Sequence, residues 1–246
     1  MTHQSFDVVA ADYDAARPDY PAELYDALES AMGQPLLRAD VLDVGAGTGI
    51  STRALAGRGA NVVAVEPGRG MLDVLRSRST TRVRPVLANG NALPLRDASF
   101  DLVTYAQAFH WTDPARSVPE ALRVLRPGGV LALWWNRHDP AVGWYAEHER
   151  RLFEACAKPQ HADESWTAEL LAAPPYGCRV ATLRLPWSRR VSLEAFGRSL
   201  HTQSYVFALG ADADRVVDAE LAVLRRQFPD GQLEEPFVTY VVLARR

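Results

Sequence analysis

A doubly wound α/β fold, built on a mostly parallel sheet, is the architecture this sequence predicts, and three observations predict it. Short apolar runs alternate with segments of helical periodicity over the first half of the chain. The runs are continuous rather than apolar-polar alternations, as in strands covered on both faces. A glycine-rich turn, Gly45-Ala46-Gly47-Thr48-Gly49, follows the first run at once and opens a helix-like stretch, where such folds place a ligand loop.

The elements follow in order. Phe6, Val9, Ala10 and Tyr13 recur at helical spacing, Pro18 interrupts them, and Pro21 opens a second helix through Leu24, Tyr25 and Leu28. Strands are predicted at 41–44, 62–65, 83–87, 100–106 and 130–135, with helices after 50 and through Met71, Leu72 and Leu75. Asp113-Pro114 starts a helix, since Asp is a good N-cap and Pro suits the first turn; Arg126-Pro127-Gly128-Gly129 ends it. After Asn136 the alternation stops. Residues 139–173 read as polar helix, 179–185 and 237–243 as strands, and 192–199 and 212–228 as helices. The expectation is one domain over 1–246, with a seven-stranded sheet, an N-terminal helical lid at 1–38, and a helical cap at about 138–178 and 192–229.

The chain has 246 residues, 48% hydrophobic and 23% charged, a composition that supports a sizeable core. Net charge is −3 with no long basic run, so no nucleic-acid partner is expected. The N-terminus lacks a signal-peptide pattern and no apolar run approaches ~18 residues. A cytoplasmic protein without membrane association is expected. Cys156 and Cys178 have neither CxxC nor zinc spacing, and no metal is expected. Oligomeric state is not readable. Arginine is abundant and Lys158 is the only lysine, a bias associated with GC-rich bacterial genomes, where secondary metabolism is a plausible setting.

The glycine loop discriminates between cofactors. A dinucleotide fingerprint would place its third glycine at 50, where Ile50 stands, and no Gly-Lys-Ser/Thr ends a phosphate loop. Glu66 closes the second strand about 20 residues beyond the loop, where an acid accepts hydrogen bonds from ribose hydroxyls. Asp43 precedes an early third glycine, Gly49, and this pattern resembles motif I of the class I S-adenosylmethionine-dependent methyltransferases. That cofactor has no pyrophosphate, but it has an ammonium group and a sulfonium that an acid helps to balance.

Two further stretches sharpen the resemblance. Asn89-Gly90-Asn91-Ala92-Leu93-Pro94-Leu95-Arg96-Asp97-Ala98-Ser99-Phe100-Asp101 resembles the family's Asp-Ala-x-x-Leu-Pro-Phe-x-Asp-x-Ser-Phe-Asp. Asn89 stands where the family's acid lies beside the adenine amino group; an amide can serve there, and a plain Asn-Gly turn is the alternative. Tyr13-Asp14-x-x-Arg17-Pro18-x-Tyr20-Pro21, Gln107-Ala108-Phe109-His110-Trp111 and Leu125-Arg126-Pro127-Gly128-Gly129 together resemble the type-11 branch, in particular proteins similar to trans-aconitate methyltransferase. The resemblance implies a Rossmann-like methyltransferase fold and S-adenosylmethionine as cofactor. It implies cofactor contacts from Tyr13, Arg17, Asp43, Gly45, Ala46, Gly47, Thr48, Gly49, Glu66, Pro67, Met71, Asn89, Gly90, Asn91 and Gln107. Tyr13 would offer the sulfonium an aromatic face or simply pack. Arg17 would bind the cofactor carboxylate, bind an acceptor carboxylate, or cap backbone.

His110 stands at the carboxyl end of the fourth strand, which faces the ligand crevice in such sheets. It is a candidate base or a pocket-shaping residue. A carboxylate acceptor would need no base. Trp111, Trp135, His138 and Tyr205 are candidate substrate contacts, with Trp144, Tyr145, Trp166 and His201 further aromatic candidates. Trp134 and Trp135 alternate on one strand, so at most one faces the pocket. The expected activity is methyl transfer to an oxygen, hydroxyl or carboxylate, of a small molecule; the alternative is a cofactor-retaining enzyme of a non-methylating cyclisation or rearrangement.

Overall fold

The computed structural model describes residues 17–156 and 164–245. In chain order these form α1 (Ala22–Met32), β1 (Asp40–Val44), α2 (Ile50–Gly57), β2 (Asn61–Glu66), α3 (Arg69–Arg78), β3 (Val83–Leu87), β4 (Phe100–Ala106), a 3-10 turn (Phe109–Trp111), α4 (Pro114–Val124) and β5 (Leu125–His138). There follow α5 (Gly143–Cys156), α6 (Trp166–Ala172), β6 (Arg179–Ser192), α7 (Leu193–His201), α8 (Ser204–Phe207), a 3-10 turn (Gly210–Asp212), α9 (Ala213–Gln227) and β7 (Gln232–Arg245).

The strands make one seven-stranded sheet in the order β3-β2-β1-β4-β5-β7-β6. β1 to β5 pair in parallel, and β7 alone runs against its neighbours β5 and β6. Successive side chains on a strand point to opposite faces, and each face fills separately. Leu42, Val44, Val103, Tyr105, Leu131 and Trp135 form one core with Val118, Ala121 and Val124 of α4 and Leu171 of α6. Val41, Val62, Leu102, Val130, Ala132 and Trp134 form the other with Leu24, Tyr25 and Leu28 of α1 and Leu55 of α2. The two tryptophans at 134 and 135 are both fully buried, one in each core.

At the opposite end of the strands from the glycine loop, Arg126 clamps the sheet edge. Its guanidinium donates to Asp101 Oδ1 and Asp40 Oδ2, each at 2.7 Å, and Asp40 N donates to Asp101 Oδ2 at 2.9 Å. At the carboxyl ends, Asp113 accepts from Ala115 N at 3.0 Å with Pro114 in the first turn of α4, as its sequence predicts.

The last two strands exceed the expectation. Predicted at 179–185 and 237–243, they run Arg179–Ser192 and Gln232–Arg245. β5 stops pairing at His138↔Phe237, while β6 and β7 continue to Ser192↔Gln232. This two-stranded extension projects beyond the carboxyl edge of the sheet. Its residues are mostly polar, so the apolar pattern gives little sign of it; opposite charges facing each other, Arg189↔Glu235 and Arg190↔Glu234, support it instead. Pro186 is tolerated because β6 is an edge strand, and Pro236 because it lies one residue past the last pair with β5.

The extension carries helices. α5 leaves β5 at the carboxyl edge, α7 follows β6 there, and α9 returns to β7. Tyr145, Leu152, Leu193, Phe196, Leu200, Val217, Leu221 and Leu224 give this group its own core. The segment expected as cap at 138–178 divides: α5 joins this core, whereas α6 turns back onto the sheet, with Leu171 in the sheet's core.

Inside the cap core, Glu220 accepts from His148 Nδ1 at 2.9 Å and from Arg151 at 2.6 and 2.8 Å. Burial alone would raise the Glu220 pKa; the hydrogen bonds from Arg151 and His148 outweigh it and hold the carboxyl down to about 2. A depressed acid contributes stability above its ordinary pKa and loses it as pH falls through the folded value. The native state is therefore expected to lose stability between pH 4.5 and about 2. In urea titrations over that range, Glu220→Gln should flatten this step and cost about 1.5–3 kcal/mol at neutral pH.

Candidate active site

β1 delivers the chain into Gly45–Gly49, where Gly45, Gly47 and Gly49 hold φ of +69°, +57° and +91°. L side chains rarely adopt that region, but the space around each glycine differs. A Cβ on Gly45 would lie 2.5 Å from Ala108 Cβ, and one on Gly49 would lie 2.9 Å from Leu75 Cγ. These two glycines let the loop pack against the exit of β4 and against α3. A Cβ on Gly47 would meet nothing within 4 Å, so Gly47 opens its backbone to free space. Gly45, Ala46 and Gly47 are partly accessible, while Thr48 and Gly49 are buried.

Two acids hold this loop. Glu66, 6% exposed at the end of β2, accepts from Gly47 N at 2.9 Å and from Gly68 N at 2.8 Å. Two backbone donors thus fix its carboxylate beside the loop, and a carboxylate is an acceptor that suits hydroxyl donors. Asp43 lies beneath, 0% exposed, accepting from Thr52 Oγ1 at 2.6 Å and Thr104 Oγ1 at 2.8 Å. Burial raises its pKa to about 6, against the pull of the two hydroxyls. Asp43 has no exposed surface, so the acid acts on the loop from below rather than from the open side. Neither hydroxyl partner is signalled by the motif, although parallel pairing sets Thr104 beside Asp43. Arg53, also unanticipated, donates to Thr48 O at 2.7 Å.

The stretch after β3 closes one side. Asn89 is exposed, and its Oδ1 accepts from Asn91 N at 2.9 Å. Asn91 Oδ1 in turn accepts from Asp113 N at 2.9 Å, tying the turn to the start of α4. Gly90 is buried, and a Cβ there would lie 2.7 Å from Val44 Cγ1 at the end of β1. Pro67 is partly exposed after Glu66, and Met71 is buried on α3. The rest of the stretch is anchored by Arg123, which donates to Leu93 O, Leu95 O, Asp97 and Glu120.

Beyond β4 the chain is strained. Gln107 has φ of +57°, donates its N–H to Trp134 O at 2.9 Å, and donates Nε2 to Asn136 O at 3.2 Å. A non-glycine residue held in this region marks a constrained turn. The 3-10 turn then presents His110 and Trp111, both exposed, with ring centroids 5.1 Å apart. His110 Nδ1 accepts from Trp135 Nε1 at 3.1 Å. Partial desolvation of the imidazole, followed by the charge of Arg137, lowers the His110 pKa. Arg137 itself is paired with Glu164.

Two candidate residues, Trp135 and His138, fall elsewhere than expected. Trp135 is 0% exposed in the sheet core and stacks on Tyr240 with centroids 6.4 Å apart; it cannot touch a substrate and reaches the surface only through His110. His138 is wedged between Tyr145 and Phe237, with centroids 4.2 and 4.6 Å away, and its Nε2 bonds Glu235 at 2.9 Å. It ties β5 to the projecting strands rather than facing a ligand. Tyr205 sets its ring against Phe153 at 5.5 Å, and burial first, then Glu149, raise its phenol pKa well above the usual value. Arg17 Nη2 reaches Thr202 O at 3.5 Å and so joins the N-terminal segment to the cap. Asn136 Nδ2 on β5 ties the same segment to the sheet, donating to Asp19 O at 3.0 Å. Tyr13 lies outside the described residues.

The ends of β1, β2 and β3 thus assemble an open glycine loop, a fixed carboxylate and an exposed amide. The donor set fits an adenosine-bearing cofactor: Gly47 leaves free space, and the buried Thr48 Oγ1 has no hydrogen-bond partner among the described residues. The family model described as a methyltransferase domain, type 11, matches residues 42–133, from β1 into β5. A methyltransferase-like protein of Schizosaccharomyces pombe is 33% identical over 93% of this chain and 89% of its own. The chain belongs to the type-11 branch of the class I methyltransferases. An uncharacterized methyltransferase of Mycobacterium tuberculosis is 48% identical over 58% of this chain and 56% of that protein. The match to such bacterial relatives therefore spans little more than half of their length. A structure from Anaeromyxobacter dehalogenans, assigned as a type II methyltransferase, superposes on this methyltransferase with a TM-score of 0.68. The two are 28% identical, over 93% of this chain and 95% of that one.

Two outcomes are expected of variants in the loop. Gly45→Ala should lower stability by about 2–4 kcal/mol, from strain and overpacking against Ala108. Gly47→Ala should cost only about 1–2 kcal/mol; denaturant titration of the pair checks the difference. Asp43 behaves oppositely. Its raised pKa means the folded state pays for the buried charge above pH about 6 and not below the ordinary value of 3.8. Asp43→Asn is therefore expected to gain up to about 3 kcal/mol over wild type at alkaline pH, a gain that vanishes when both are titrated at acid pH.

Proposed function

We propose that this methyltransferase transfers a methyl group from S-adenosylmethionine to an oxygen of a small molecule. The observation that carries the reading is the Glu66 carboxylate, pinned by Gly47 N and Gly68 N beside a glycine loop open to free space. Glu66 would receive the ribose hydroxyls and Asn89 would serve the adenine edge. The Gly45–Gly47 backbone would meet the amino-acid end, with Asp43 balancing its positive charge from beneath. Bound there, the cofactor supplies a methyl group that is already activated, so the protein's task is mainly alignment. Orientation alone is worth ~7–11 kcal/mol.

The acceptor would enter between the 3-10 turn and the cap. His110 offers a hydrogen-bond donor there, which suits an oxygen, and Trp111 is 49% exposed beside it, which suits a small apolar or planar body. The segment before α1 and the cap helices would cover the mouth, since Arg17 already links these layers. A setting in secondary metabolism fits the arginine-rich composition. No helix among the described residues is long and apolar enough to cross a membrane.

Calorimetry with S-adenosylmethionine and S-adenosylhomocysteine should show a single site, and Gly47→Val should lose it while remaining folded by circular dichroism. Incubation with small hydroxy acids and phenols should release S-adenosylhomocysteine in step with methylated product. Consumption of a substrate without that release would favour the non-methylating alternative, and absence of cofactor binding at millimolar concentration would end both readings.

A further inference from the structure

We infer that Trp135 fixes His110 as the tautomer protonated at Nε2, so that His110 offers a donor to the acceptor molecule and takes no proton from it. An indole N–H can only donate, and it meets His110 Nδ1 at 3.1 Å. Nδ1 must therefore present a lone pair. A neutral imidazole carries one proton, which is left to Nε2. Trp135 is fully buried, so its N–H has no solvent to turn to if this bond is broken. Acting as a base at Nε2 would require the ring first to move its proton to Nδ1, and that expels the indole.

The surroundings agree. The charged group facing the ring is Arg137, on the same strand two residues beyond Trp135, and it disfavours an imidazolium. Its partner Glu164 offsets that charge without approaching as a partner for the ring. Trp111 lies against the imidazole. Both ring nitrogens thus have assigned roles: Nδ1 faces the core as acceptor, and the exposed part of the ring, with Nε2–H, is left to the mouth. Trp135 is then a positioning residue, which accounts for a buried tryptophan at a place where a substrate contact was expected.

The role toward an acceptor rests on the function proposed above; the tautomer does not, and it is measured without cofactor or substrate. Long-range proton–nitrogen correlation spectra of uniformly nitrogen-15-labelled protein, with His110→Ala identifying the signals, should show His110 protonated at Nε2 and bare at Nδ1 near neutral pH. Trp135→Phe should yield mixed tautomers and an upward move of the His110 titration midpoint, because protonation no longer displaces an N–H. A proton on Nδ1 in the wild type, or a tautomer unchanged by Trp135→Phe, would overturn the inference. If that variant does not fold, the wild-type pattern decides alone. With an acceptor identified by S-adenosylhomocysteine release, His110→Gln, whose amide can accept and donate, should keep methyl transfer within about tenfold. A base would lose 10²–10⁴-fold, and a loss of that size would refute the donor role.

Discussion

The glycine loop depends on two carboxylates that do different work. Asp43 is sealed under it and would be costly there alone, since burial opposes its charge. The hydroxyls of Thr52 and Thr104 offset that cost, and in doing so they join three elements: β1, the first turn of α2 and the neighbouring strand β4. Glu66 fixes the loop from the side, through one N–H of the loop and one from the turn after β2. Because each acid bonds across elements, the loop's shape is inseparable from the register of β1 with β2 and β4.

The same economy of contacts explains the stretch from Asn89 to Asp101. Its apolar positions, Leu93 and Phe100, are buried, and Asp101 completes the clamp on Arg126 at the far edge of the sheet. Arg123 gathers the intervening carbonyls. Asn91 latches the turn to α4. Much of a motif that resembles a cofactor signature is thus the scaffolding that keeps Asn89 at the mouth. Its side chain already closes the local turn with Asn91 N, which leaves the amide nitrogen as its outward group.

How far the chain could be read beforehand followed from where the physical signal resides. Parallel strands covered on both faces are near-continuous apolar runs, and β1, β2, β4 and the middle of β5 were legible for that reason, as was the start of α4 at Asp113-Pro114. The projecting ends of β6 and β7 were not, because they are held by cross-strand charges and by His138 stacked between rings, contacts between residues distant in sequence. The glycines were legible as a pattern but not in their separate tasks. Only the neighbouring atoms distinguish Gly45, closed in by Ala108, from Gly47, which faces free space. Trp135 looked like a pocket residue because a strand's end was known and its burial was not.

This division bears on how acceptor choice could vary without disturbing the loop. The cap springs from β5, β6 and β7 on a two-stranded projection and has a core of its own, with its own ionic centre at Glu220. Changes there need not propagate into the β1–β2–β4 region that shapes the loop. Among the described residues, Arg17 reaches from the segment before α1 to Thr202 O of the cap, and the Asn136–Thr239–Trp187 hydrogen bonds cross from β5 through β7 to β6 where the projection begins. His110 stands between them on a turn fixed from the sheet side by Trp135. On the inference above, its outward donor is set by the geometry of the strands and not by the cap, so the cap would select the body of the acceptor while the sheet would set what kind of atom approaches the turn.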